Sequence, residues 1–418
     1  MTIESKKGLF WLPIKPENIV AGFLKYSDEK IELDLVGCFE NSSDPDAKTD
    51  FLIINGILGQ QRVLLYDSFE NYRNIHIGGI DYTRLTVNII FFGIHASKPS
   101  DFLFHKISFH PSHYDKFVNH KAGWNINYDR SKKRTTVEYE LPESIETTIQ
   151  KGLKSIIGFR ASVPTYGFHL KEISISQSTY YSIENTRKKP LHDLLKLASH
   201  YSKLVMLFTQ RPTYMDDLQL LFKNKGDRDF NTSDLFRTSR TKVPSKKLSP
   251  NDFLIYFADI SSMYDTILIN WYKDEAKYET SLNSYFDTYF ESGNVDDFAL
   301  KILKSMESYH REFIGPKSKD LVKRYQELFE RVRKVFNPIL RISSKRSYCE
   351  KLKTLRHDLA HNNPLKVTRT GVFKTRYRIA IETRMILTAN VLLDLGIPTA
   401  QLAKLFWRSG EYIYLRKK

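Results

Sequence analysis

Cysteine is almost missing from this sequence: Cys38 and Cys349 are the only two in 418 residues. Two thiols so far apart make neither a disulfide framework nor a cysteine zinc site, and a reducing cytoplasm is the compartment they fit. Long apolar runs are missing as well. The longest, around Leu85 to Ala96, falls short of the roughly 20 residues that cross a bilayer, and the polar start Met1 to Lys7 holds no apolar leader core. The chain is therefore expected to be cytoplasmic, with no membrane partner. Phosphate cradles are absent too: Gly78-Gly79 leads into Ile80-Asp81 rather than into Lys and Ser or Thr, and no Walker loop, dinucleotide fingerprint, nucleophile elbow or Cys/His pair occurs. Neither a cofactor nor a resident metal is expected.

Acid is the other shortage. Asp and Glu number 48 against 64 Lys and Arg, a net charge of +16, which is the footprint of a protein that meets a polyanion. The excess is uneven: Met1 to Lys189 holds 24 basic and 22 acidic residues, whereas Pro190 to Lys418 holds 40 and 26. The second part is expected to face the polyanion. With 41% hydrophobic and 27% charged residues, the chain has an ordinary globular composition with room for two or three domains.

Two periodicities divide the chain into an α+β protein. Up to about residue 185, short β-branched and aromatic runs such as Ile19 to Leu24, Ile31 to Val36, Phe51 to Leu58 and Leu85 to Gly93 alternate with turn residues. They read as an antiparallel sheet or sandwich. From residue 186 to 418 the spacing becomes three and four, beginning with Leu191, Leu194, Leu195 and Ala198 behind Pro190, and a helical bundle is expected. The polar basic stretch 223–250 reads as a mobile loop.

The segment richest in chemistry runs from Leu352 to Pro364. Leu352, Leu355 and Leu359 point one way on an amphipathic helix that Asn363-Pro364 ends, with Arg356, His357, Asp358 and His361 crowding its last turn. His357 and His361, four apart, share a face, while Arg356 and His361 diverge by about 140°. One helix cannot easily converge Arg and His; two copies about a two-fold axis can, which suggests a composite dimer site. The bare spacing carries little, because Arg187 and His192 repeat it with Pro190 between them. Cations that merely suit a helix C-terminus would give the same letters. So would a zinc pair at His357 and His361, with Asp358 where a zincin has Glu and only Glu382 and Asp394 downstream to Leu395 as further ligands. A third alternative is a bundle that grips RNA or a protein partner without cutting it. Near the motif, Arg369, Lys374, Arg376 and Arg378 surround Gly371, in an expected loop that could hold RNA backbone. His105, His110, His113 and His120 lie near Asp115 at irregular spacing and read as ordinary histidines.

The run Leu352 to His361 resembles the signature of the HEPN superfamily. The stretches Gly8 to Pro13, Val20 to Leu24 and Ile31 to Gly37 are similar to the β-rich leading domain of ApeA-type anti-phage proteins, which end in a HEPN domain. This resemblance implies a metal-independent endoribonuclease that works as a homodimer through its HEPN domain, with Arg356 and His361 catalytic and His357 at the variable polar position. It also implies RNA as partner, tRNA among the candidates. Cleavage would leave 2′,3′-cyclic phosphate and 5′-hydroxyl ends in an abortive-infection response, with a phage-derived trigger received by the N-terminal domain.

Overall fold

In the computed structural model the described residues are all except 1–2, 40–49, 75–78, 80, 121–122, 163–174, 224–228, 239–251, 291–293, 316–319, 338–345, 362–368, 411–412, 414 and 416–418; of 369–374 only the backbone is described. Six strands close a barrel: β1 (Glu4–Leu12), β2 (Lys15–Tyr26), β3 (Ile31–Val36), β4 (Asp50–Leu58), β5 (Gln61–Asn74) and β6 (Tyr82–Phe92). Every pairing is antiparallel, and the order β1, β2, β3, β6, β5, β4 returns to β1. Period-two alternation turns Phe10, Leu24, Leu33, Leu35, Val63, Leu65, Leu85 and Val87 into a core of the barrel's own.

Strand β6 serves two sheets. Along one edge it pairs first with β3 and then, from Ile89 to Phe92, with β14 (Asn231–Arg237), while β5 runs along the other edge. Beyond β14 the sheet continues through β13 (Met215–Phe222), β7 (Leu103–Pro111), β12 (Ser176–Pro190), β11 (Leu153–Ser162) and β10 (Ile145–Gln150). A separate two-stranded ribbon consists of β8 (Gly123–Asp129) and β9 (Arg134–Glu140).

The short α1 (Tyr114–Val118) and the long α2 (Leu191–Thr209) pack on this second sheet. Then follow α3 (Phe257–Ile260), α4 (Tyr264–Lys273), α5 (Glu275–Asp287), α6 (Val295–Phe313), α7 (Leu321–Arg331), α8 (Arg333–Phe336), α9 (Arg346–Ala360), α10 (Arg369–Asp394) and α11 (Thr399–Arg408). One apolar core runs without a break from the second sheet through α2 into these helices. Buried polar groups pin the junction: the hydroxyls of Tyr114, Tyr201 and Tyr264 form a chain at 2.6 and 2.9 Å. Trp271 Nε1 donates to the His200 carbonyl at 3.0 Å, and His200 Nε2 lies 3.0 Å from the Trp271 carbonyl. Burial pushes the His200 imidazole down to about 3, so it sits there neutral.

The sheet extends further than the sequence pattern implies. Strands β13 and β14 follow α2, so strand structure does not stop near residue 185, and β14 lies inside the stretch expected to be a loop. The physical reason is a short alternation in which Leu218, Leu220, Ser233 and Leu235 turn inward, masked in the sequence by the charged residues around it. Residues 224–228 and 239–250 of that stretch lie outside the described residues.

Within the barrel, Asp34 accepts hydrogen bonds from Lys25 Nζ at 2.8 Å and Arg84 Nε at 2.7 Å. Burial alone would raise its pKa, but hydrogen bonds from Lys25, Tyr82 and Arg84 outweigh it and hold the carboxyl down at about 2. Its contribution is present above the unfolded carboxylate value near 3.8 and is lost as pH falls through about 2. Because Lys25 and Arg84 are half exposed, the contribution is on the order of 1 kcal/mol. Urea titrations of Asp34→Asn should show a lower midpoint at pH 7 and a shallower loss of stability between pH 4 and 2 than the natural chain; equal loss would reject this assignment.

Candidate active site

Helix α9 forms because residues three and four apart face the core. Cys349 and Leu352 are buried, Tyr348 and Leu355 are partly so, and together they pack against α6 and α7. Tyr348 Oη donates to Glu382 on α10 at 2.6 Å, and Arg378 Nε donates to the other oxygen of the same carboxylate at 2.8 Å. Burial pushes the Cys349 thiol up to about 11, which leaves it unsuited to nucleophilic work at neutral pH.

The last turn of α9 separates its polar residues around the axis. Arg356 turns to α6, where its Nη2 lies 2.5 Å from Glu307 Oε2. Glu307 also receives Arg324 of α7 at 3.4 Å and Arg311 of α6. A carboxylate only 8% exposed is thus enclosed by three guanidiniums from three helices. The Nε of Arg356 is buried and unpartnered, as is the hydroxyl of Tyr325, which burial keeps protonated. On the other side of the turn His357 and His361 are both exposed. Their ring centroids are 4.5 Å apart with planes tilted by 51°, and the His361 N–H donates to the His357 carbonyl at 3.1 Å. The fold therefore brings the two histidines together and carries Arg356 away from them, as the helical repeat requires.

The four cations expected to hold RNA fall differently from their expectation. Arg369 opens α10 and Lys374, Arg376 and Arg378 follow on the same helix rather than in a loop. Arg376 is buried in an ion pair with Asp296, whereas Arg378 is bound to Glu382 through Nε and stays partly exposed. A sequence shows their charge but not the acids that folding brings to them. The side chains of Arg369 and Lys374 lie outside the described residues, as does Asn363-Pro364. Both carboxylates considered as further zinc ligands are engaged as well, Glu382 as above and Asp394 with Tyr309 and Arg331. His110 lies 3.6 Å from Asp115, whereas His105, His113 and His120 rest against Phe230, Phe253 and Phe159, so these four have separate surroundings.

Glu307 and Arg324 escaped the sequence reading. Only the Glu307 to Arg311 spacing is visible as a helical pair; Arg324 and Arg356 reach the same carboxylate from other helices, and no spacing announces that.

A helical domain with an Arg and a His on the last turn of a packed helix, set behind a strand-rich domain, is consistent with the class of HEPN proteins with a leading domain. The family model for ApeA N-terminal domain 1 matches residues 5–271, and that for the ApeA-like HEPN matches 267–401. The chain belongs to the ApeA-like family, a defence-associated family of HEPN nucleases. The two matches meet within α4. No curated protein and no solved structure is significantly similar to the chain.

Removing the shared carboxylate should be costly, because breaking a buried ion pair strands its partners. Glu307→Ala is expected to destabilise the chain by about 3 kcal/mol, and Arg356→Ala should cost less in that background than alone. Chemical denaturation of both single variants and the double variant measures this coupling; strictly additive losses would show that the two side chains do not act on each other.

Proposed function

We propose that the chain is a metal-independent endoribonuclease that cuts RNA as a homodimer. The observation that carries this reading is the paired, exposed His357 and His361 on the turn that also bears Arg356, within the region that the ApeA-like HEPN model matches. RNA brings its own nucleophile, the 2′-hydroxyl, so the protein must move a proton near neutral pH and neutralise charge building on the phosphate. His361 takes the proton and Arg356 meets the phosphate. Glu307 occupies only part of the Arg356 guanidinium, whose five donors allow a carboxylate and a phosphate to be met together. It thus holds a preorganised cation.

Within one chain Arg356 and His361 point about 140° apart. A second copy across a two-fold axis brings the Arg356 of one subunit toward the His361 of the other, and His357 then flanks the phosphate. Attack of the 2′-oxygen on phosphorus breaks the bond to the 5′-oxygen, which receives a proton from the imidazole pair as it leaves, giving a 2′,3′-cyclic phosphate and a 5′-hydroxyl. Arg369, Lys374 and Arg378 are the remaining candidates for holding RNA backbone, tRNA included. The N-terminal domain receives a phage-derived trigger in the cytoplasm, and cleavage halts growth as in abortive infection; the family's defence association supports this setting.

The test is cleavage of a mixed RNA pool by the purified chain in EDTA, beside His361→Ala and Arg356→Lys, with the product ends identified. Activity that survives EDTA, leaves cyclic phosphate, spares DNA and falls at least about 100-fold in His361→Ala is the expected outcome. Loss in EDTA would favour a zinc site at His357 and His361, and RNA that is bound but never cut, in the presence of infected-cell extract, would favour a binding module.

A further inference from the structure

The ribbon β8–β9 is amphipathic, and among the described residues nothing covers its apolar face. Register pairs Trp124 with Tyr139, Ile126 with Val137 and Tyr128 with Thr135 on one face, and Asn125 with Glu138 and Asn127 with Thr136 on the other. In water the first face favours burial, yet Trp124 is 53% exposed, Ile126 67% and Tyr128 57%. Trp124 and Tyr139 stand edge to face at 4.6 Å, so these rings are held rather than loose. Tyr139 also roots the ribbon, its hydroxyl donating to Gln177 on β12 at 2.9 Å.

The turn at the far end concentrates positive charge. Asp129 Oδ1 accepts from the N–H groups of Ser131 and Lys132 at 2.9 and 3.2 Å, and Lys133 adopts φ +46°. This built turn carries Arg130, Lys132 and Lys133 at its tip, and Arg134 follows opposite Asp129 on the polar face. Lys132 lies 3.9 Å from Asp129, while Arg130, Lys133 and Arg134 have no side-chain partner among the described residues. The N-terminal part is otherwise nearly neutral, so four cations beside exposed rings are a local feature.

We propose that this ribbon is a docking site for single-stranded RNA, with bases stacked on Trp124 and Tyr128 and phosphates held by Arg130, Lys132, Lys133 and Arg134. Charge complementarity selects a polyanion, and exposed flat rings beside the cations select one whose bases are unpaired; stacking on such rings and phosphate contacts are the two recurring terms of single-strand binding. The choice of RNA rests on the proposed function, but the measurement does not, because it needs no cleavage.

Fluorescence anisotropy of a labelled 2′-O-methyl uridine 20-mer, which lacks the attacking hydroxyl, reads binding to the full chain. Trp124→Ala with Tyr128→Ala should weaken it about tenfold or more at fixed salt. Arg130, Lys132, Lys133 and Arg134 changed to Ser should flatten the dependence of log Kd on log salt by about 3. Both variants alter exposed positions, and unchanged thermal melts check that they fold. Binding that ignores the ring substitutions would overturn the proposal in favour of mere charge attraction, or of a ribbon that serves an acidic protein. Binding lost only in His361→Ala and Arg356→Ala, and not in the ribbon variants, would place RNA at the helical site alone. A positive ribbon result with no cleavage in EDTA would leave the docking site standing and sink the metal-independent nuclease.

Discussion

A carboxylate taken out of water must be paired, and Glu307 is paired three times over. That single group ties α6, α7 and α9 together at the point where α9 presents its last turn. Three guanidiniums would repel one another without it, and the carboxylate would be intolerable without them. The position of Arg356, and through the rigid helix that of His357 and His361, follows from this enclosure. The Arg356 side chain keeps about 29% of its surface exposed beside that pairing.

The helices of the second half were legible because they depend on local spacing. The repeat behind Pro190 becomes Leu191–Thr209, and the amphipathic run of Leu352, Leu355 and Leu359 lies on Arg346–Ala360. The antiparallel character of the first half was legible too, from alternation bounded by turns. Its closure into a barrel was not, since that depends on β1 meeting β4 and on β5 meeting β6 along its whole length, pairings no local pattern encodes. Strand β14 was hidden for a related reason: its inward Ser233 and Leu235 carry too short a signal against the charge nearby. At the site, helical geometry foretold that the histidines would meet and Arg356 would diverge. It could not foretell that Asp296 and Glu382 would engage Arg376 and Arg378, because ion pairs between elements are made by the fold.

The two halves are not beads on a flexible linker. The second sheet and the helices share one apolar core, and Thr147 on β10 donates to Asp265 on α4 at 2.6 Å. Close-packed interiors transmit strain where a linker would absorb it. A partner bound to the strands would therefore act on a body continuous with the helices that hold Glu307. Strand β6 extends that continuity to the barrel, because the same strand belongs to both sheets.

The composite nature of the site is the central claim, and mixing two inactive variants tests it most directly. Arg356→Ala and His361→Ala proteins are unfolded together, refolded as a mixture, and assayed for RNA cleavage in EDTA. If Arg356 of one subunit works with His361 of the other, heterodimers regain an intact pair, and statistical mixing restores up to about a quarter of the natural activity. If the mixture stays as inactive as its parts while heterodimers are shown to form, Arg356 and His361 act within one chain or not at all, and the two-fold site is wrong.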